Sequence, residues 1–158
     1  FERAYRGVGL EPGRARALAE EVRETYLAPE RWRCYEDTQE ALADLDASGW
    51  TQVVLSNHVP ELGELMDHLG LSGYFDRVFN SADIGYEKPN PAMFEAVLAA
   101  YPDAESLWMV GDSYRADVRG AEEVGIPAIL VHRPHPEARY YAETLTEAVR
   151  MVISKGRL

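Results

Sequence analysis

Two carboxylates, Asp112 and Asp117, stand five residues apart in the run Gly111-Asp112-Ser113-Tyr114-Arg115-Ala116-Asp117, which follows the apolar Leu107-Trp108-Met109-Val110. If the apolar stretch is a strand and the run leads into a helix, Asp112 stands at the strand tip and Asp117 in the first helical turn. Both then face one crevice. Like charges in one site raise each other's pKa, so the pair is costly unless a cation neutralises it. Magnesium suits the arrangement, since it takes hard oxygen ligands, retains several waters and is commonly held by one or two carboxylates plus phosphate. Taken alone, the pair reads equally well as helix-end chemistry, with Asp112 a cap and Asp117 favoured by the positive helix end.

Two further positions extend the chemistry. Ser56 ends an apolar run and Asn57 follows it, so the hydroxyl and the succeeding backbone N–H groups suit a phosphoryl oxygen at a helix start. The plainer reading of either residue is an N-cap. Lys88, between Glu87 and Pro89, is a compact charge able to neutralise a carboxylate nucleophile and a transferring phosphate. By itself it reads as a solvated surface lysine. What joins Ser56, Lys88, Asp112 and Asp117 is their order, each at a strand end of one alternating chain.

The elements that must position them follow from pattern. Short apolar runs at 52–55, 77–80, 107–110 and 128–131 alternate with helical patterns at 60–69, 91–100, 114–124 and 144–154, which predicts parallel strands joined by crossover helices. Asn90-Pro91 is a capping side chain ahead of a first-turn proline, and Gly125 suits a helix stop. Open parallel sheets bind ligands beyond the carboxyl ends of their strands, where all four residues fall. Upstream, Phe1 to about Arg33 is charged and alanine-rich, and its apolar spacing fits two helices interrupted at Glu11-Pro12-Gly13. Asp37 or Thr38 then caps a helix whose inward face carries Ala41, Leu42 and Leu45 and which stops at Gly49.

Three stretches resemble the second, third and fourth motifs of the haloacid dehalogenase-like (HAD) superfamily. They are Val53-Val54-Leu55-Ser56-Asn57, then Gly85-Tyr86-Glu87-Lys88-Pro89-Asn90-Pro91-Ala92-Met93-Phe94, then Val110 to Asp117 with Gly120-Ala121 and Gly125. The resemblance implies a Rossmann-like α/β fold, a parallel sheet flanked by helices, over 35–158, with residues 1–34 the closing part of a helical cap. It implies that Ser56 and Asn57 bind phosphoryl oxygens, that Lys88 orients and neutralises, and that Asp112 and Asp117 hold Mg2+ directly or through water. The implied activity is a phosphatase working on a small phosphorylated metabolite through an aspartyl-phosphate. Substrate choice falls largely to the cap.

The family's first motif, an Asp-x-Asp at the tip of the first strand, has no match. Asp44-Leu45-Asp46 fails on context, since it lies within a helical pattern before Gly49 rather than after an apolar strand. In the family's fold the first strand lies between the two assigned to 52–55 and 107–110, so its absence leaves two edges facing each other. The chain opens on Phe1, directly into a helical pattern, and the expectation is that a strand and half a cap precede it in the native protein. Two alternatives stay open: a non-catalytic HAD-like binding or regulatory protein, and a metal-independent dehalogenase. A phospho-receiver domain also pairs acidic residues with a hydroxyl and a lysine, but its lysine follows the last acidic site, whereas Lys88 precedes Asp112.

Composition narrows partners. Sixteen basic against 27 acidic residues give a net charge of -11, and no basic stripe tracks a phosphate backbone, which argues against nucleic acid. No apolar stretch approaches the roughly 18 residues that span a bilayer, and the first residues lack a signal-peptide pattern. Cys34 is the only cysteine, so no intrachain disulfide exists and a reducing cytoplasm is the expected setting. His58 and the loop His132-Arg133-Pro134-His135-Pro136 read as ordinary solvated or loop histidines.

Overall fold

The computed structural model describes residues 2–156; Phe1, Arg157 and Leu158, the outermost residues of the two expected segments, lie outside the described residues. The chain divides into two compact units between Arg33 and Cys34, one residue before the division read from the sequence.

The first unit holds α1 (Glu2–Gly7) and α2 (Pro12–Leu27), followed by a single 3-10 turn at Pro29–Arg31. Pro12 opens α2 because a first-turn proline loses no intrahelical hydrogen bond. Trp32 donates its indole N–H to the Tyr26 carbonyl at 2.7 Å and meets the Tyr26 ring edge-on, with centroids 5.1 Å apart. Among the described residues of this unit only Ala15 is buried, so α2 shows little core of its own.

The second unit alternates strands and helices: α3 (Thr38–Ala47), β1 (Val53–Ser56), α4 (Leu62–His68), β2 (Arg77–Asn80), α5 (Ser81–Ile84), α6 (Pro91–Ala100), β3 (Met109–Gly111), a π-helical segment (Tyr114–Arg119), α7 (Gly120–Glu123), β4 (Ala128–Val131), β5 (Tyr141–Ala142) and α8 (Leu145–Lys155). Every strand pairing is parallel. The strands form two sheets, β1-β2 and β3-β4-β5, so the second edge of β1 and that of β3 pair with no strand among the described residues.

β4 is the most buried strand, and its Ala-Ile-Leu-Val run shows why a strand covered on both faces reads as continuously apolar. Side chains alternate in direction along a strand. Ala128 and Leu130 join Met93, Phe94, Val118, Ala121 and Ile126 on one face, while Ile129 and Val131 join Ala142, Ala148 and Val152 under α8 on the other. β1 is only half-buried along its length despite the apolar Val53-Val54-Leu55, as befits a strand with one open edge.

Several boundaries differ from the sequence reading for physical reasons. β1 reaches Ser56 because Ser56 aligns with Asn80 on β2, and the strand read at 107–110 forms at Met109–Gly111 where β4 supplies partners. The helix read as 114–124 is a π-helical segment followed by a short α-helix. β5 has two residues, too few to leave a period in the sequence. Asp44 and Asp46 lie inside α3. Among the described residues no helix is long and apolar enough to cross a membrane.

Candidate active site

β1 delivers Ser56 to its carboxyl end, and the chain beyond is stitched to the end of β2. The His58 backbone N–H donates to Ser81 Oγ at 3.1 Å, and Asn80 Nδ2 donates to the Val59 carbonyl at 2.8 Å. Asn80 also caps α5, accepting from Ala82 N at 3.1 Å. Two neighbouring polar residues at the tip of β2 therefore hold the segment that follows Ser56.

Asn57 reaches across 31 residues to Lys88. Its Oδ1 accepts from the Lys88 backbone N–H at 2.7 Å, and its Nδ2 donates to the Lys88 carbonyl at 3.0 Å. The two bonds satisfy both faces of one peptide segment, which an amide side chain alone can do. The Lys88 turn is closed from its other side by Asn90 N donating to the Glu87 carbonyl at 2.8 Å, and Asn90 Oδ1 then caps α6 at Ala92 N. Pro91 follows as the first residue of α6.

From that anchored backbone the Lys88 side chain turns inward. Nζ lies 2.7 Å from Asp117 Oδ1 and donates to the Leu55 carbonyl at 2.6 Å, with the Lys88 and Asp117 side chains only 9% and 7% exposed. The second Asp117 oxygen, Oδ2, accepts from the Ser113 backbone N–H at 2.9 Å. Asp117 is thus a buried carboxylate with both oxygens occupied. Removal of two charges from water is tolerated only when they are paired and hydrogen-bonded, and here they are.

The backbone around Asp117 is built for that placement. Ser113 caps the π-helical segment through Oγ, which accepts from Ala116 N at 3.1 Å, and the Ser113 carbonyl accepts from both Asp117 N and Val118 N. Wide π-turns occur mostly as single turns and often at functional positions. Gly111 is required by space: a Cβ there would stand 2.4 Å from Asp117 Oδ2. Gly120 allows a second close approach, since a Cβ would meet the Phe94 ring at 2.7 Å and the Pro89 Cα at 3.1 Å. One glycine admits the carboxylate, and the other lets its helix press against the residue next to Lys88.

Asp112 differs from Asp117. It is exposed at the end of β3, and among the described residues its carboxylate makes no hydrogen bond or ion pair, as is true of the Ser56 hydroxyl. The five residues singled out in the sequence thus divide. Asn57, Lys88 and Asp117 are joined by direct contacts, while Ser56 and Asp112 stand beside them in the chain with side chains uncommitted. Among the described residues no group of three or more His, Cys, Asp or Glu gathers as a metal site, so an ion at this strand end would rest on few protein ligands, which magnesium, with its retained waters, tolerates.

Two contributors are not visible in the sequence, the Leu55 carbonyl and the Ser113 backbone N–H, whereas Tyr114 lies near the two carboxylates by sequence and is assigned no role in chemistry. Tyr114 stacks on His135 with centroids 3.8 Å and planes 7° apart. Burial first, and then the negative charge and hydrogen bond of Glu137, push the Tyr114 phenol above its ordinary pKa. Backbone groups leave no trace in residue type; Gly111, which makes room for the Asp117 carboxylate, was the available signal for the Ser113 N–H.

Comparison with known proteins shows the family. The sequence profile of haloacid dehalogenase-like hydrolases matches residues 2–125. The chain is 36% identical over 135 residues to a phosphoserine phosphatase of Thermus thermophilus, covering 84% of this chain and 53% of that protein. It is 35% identical over 128 residues to a glyceraldehyde 3-phosphate phosphatase of Methanothermobacter thermautotrophicus, covering 80% and 52%. A crystal structure of a HAD phosphatase from Thermococcus onnurineus superposes with a TM-score of 0.74 at 29% identity, covering 85% of this chain and 64% of that one. The chain spans about half the length of the curated relatives it matches.

Proposed function

This chain belongs to the haloacid dehalogenase-like hydrolase family, and we propose that it carries the phosphate- and cation-handling part of a magnesium-dependent phosphatase acting on a small phosphorylated metabolite. The observation that supports this most is the Lys88 ammonium, shared between Asp117 Oδ1 at 2.7 Å and the Leu55 carbonyl at 2.6 Å, which draws all three motif stretches to one rim. Phosphatase relatives with small phosphorylated substrates, phosphoserine and glyceraldehyde 3-phosphate, support the substrate class.

In this reading the Ser56 hydroxyl and the Asn57 backbone N–H donate to the phosphoryl oxygens. Lys88, held by Asn57 and Asp117, neutralises the charge that accumulates as phosphorus is attacked, in a site where water screens little. Asp112 and Asp117 would hold magnesium directly or through water, and Asp117 also acts by fixing Lys88. The ion supplies charge compensation and orientation of the phosphate.

By the family resemblance the nucleophile is an aspartate at the tip of a strand lying between β1 and β3. The unpaired edges of those two strands support that assignment, and Asp44 and Asp46 within α3 do not supply it. The same reading makes residues 1–34 the closing helices of a cap and assigns the protein to the cytoplasm.

The test is hydrolysis of p-nitrophenyl phosphate by the full-length gene product. We expect turnover that needs magnesium, stops in chelator and is lost in Lys88→Ala. Full activity in chelator, or none with magnesium present, contradicts the proposal.

A further inference from the structure

The first residues of the second unit are fastened to its far end at two points. Tyr35, the second residue past the division at Arg33, stacks on His132 with ring centroids 4.0 Å and planes 22° apart. Two residues on, Asp37 turns its carboxylate away from its own helix, and Oδ2 accepts from Thr146 N at 3.0 Å and Thr146 Oγ1 at 3.3 Å. His132 directly follows β4 and Thr146 lies in the first turn of α8 after β5. β3, β4 and β5 run parallel, so both anchors stand at the edge of the sheet that also carries Asp112.

His132 adopts an unfavourable backbone to be there. Its φ is 66°, the one positive value among the described non-glycine residues, and a Cβ makes that region costly. Three contacts oppose the cost: its backbone N–H donates to the Ala142 carbonyl at 3.2 Å, its Nδ1 lies 3.2 Å from the Glu143 carbonyl, and its ring meets Tyr35. Tyr35 is 61% exposed, so its position does not follow from burial. A strained histidine paired with an exposed tyrosine indicates a contact kept for what it holds.

We propose that Tyr35 and His132 form a clasp that fixes the start of the second unit to the edge of its own β3-β4-β5 sheet, with Asp37 and Thr146 as its inner catch. The clasp keeps the first residues of the second unit from fraying off its own core. This inference rests on the two contacts and stands or falls separately from the phosphatase reading.

Limited trypsin digestion of the full-length gene product tests it, with cleavage after Arg33 followed by mass and cleavage after Arg119 as the internal control. His132→Gly suits the backbone, because glycine adopts a positive φ without strain, and it removes only the ring. Cleavage after Arg33 should rise about fivefold in His132→Gly and in Tyr35→Leu, the factor expected from loss of one ring pair when proteolysis follows local opening. Tyr35→Phe, which keeps the stack, should retain wild-type protection, and cleavage after Arg119 should not change. Rates within twofold of wild type in both variants overturn the clasp. So does Tyr35→Phe cleaving as fast as Tyr35→Leu, or an equal rise after Arg119.

Discussion

Lys88 and Asp117 form an ion pair at 2.7 Å with both side chains almost wholly removed from solvent, 29 positions apart in a chain whose net charge is -11. A buried ammonium or carboxylate without a partner is costly, and here each is paired with the other and hydrogen-bonded besides.

Removing one partner should therefore already forfeit much of what removing both forfeits. Lys88→Ala is expected to destabilise the chain by about 3 kcal/mol, since it strands the Asp117 carboxylate. Lys88→Ala with Asp117→Ala should cost clearly less than the two single changes added together. Urea unfolding of the four variants measures this, and additivity of the two losses would refute a coupled pair.

Gly111→Ala should act on Asp117 at a distance of six residues. A Cβ at position 111 would overlap the Asp117 carboxylate, so the carboxylate must move away from Lys88 and Ser113. The expected loss is about 1–3 kcal/mol of stability from overpacking, together with loss of magnesium-dependent hydrolysis in the full-length protein. Thermal melting and turnover of p-nitrophenyl phosphate report the two effects.

Asn57→Ala should loosen the Lys88 backbone without removing any charge. Two hydrogen bonds to one peptide segment are lost, at about 1 kcal/mol each. Asn57→Asp preserves acceptance from the Lys88 N–H and loses donation to its carbonyl, so its stability should fall between wild type and the alanine variant. Equal stability of Asn57→Ala and wild type would remove Asn57 from this role.

Asp37 supplies a pH-dependent contribution. Hydrogen bonds from Thr146 first of all hold its carboxyl below the ordinary aspartate value. A carboxyl whose folded pKa is depressed adds stability that is present above the unfolded value, about 4, and is lost as pH falls through the folded value. Asp37→Asn should lower stability by about 1 kcal/mol at neutral pH, and the difference from wild type should shrink as pH falls below the ordinary aspartate range. A gap that stays constant to pH 2 would exclude the linkage.

Much of the second unit was legible because its signals are local. The strand Arg77–Asn80 and the helix Pro91–Ala100 follow from an apolar run bounded by polar residues and from Asn90-Pro91, each readable within a few positions. Ser56, Lys88 and Asp112 were legible by type and by place at strand ends. What was not legible depends on distant partners. Asp37 looks like the cap of its own helix, yet its carboxylate serves a helix 109 residues later, because Thr146 offers both a backbone and a hydroxyl donor. Asn57 suggests phosphate, yet its amide is spent on Lys88. The π-helical segment that turns Asp117 inward is six residues long, too short to print a period.

The most direct test of the account is a crystal structure of the full-length gene product with magnesium and phosphate. The expected result is an ion bound through the Asp112 carboxylate at about 2.1 Å, with the phosphate within hydrogen-bonding distance of Ser56 Oγ and Lys88 Nζ. A magnesium ion held elsewhere, or a phosphate that touches neither Ser56 nor Lys88, would contradict it.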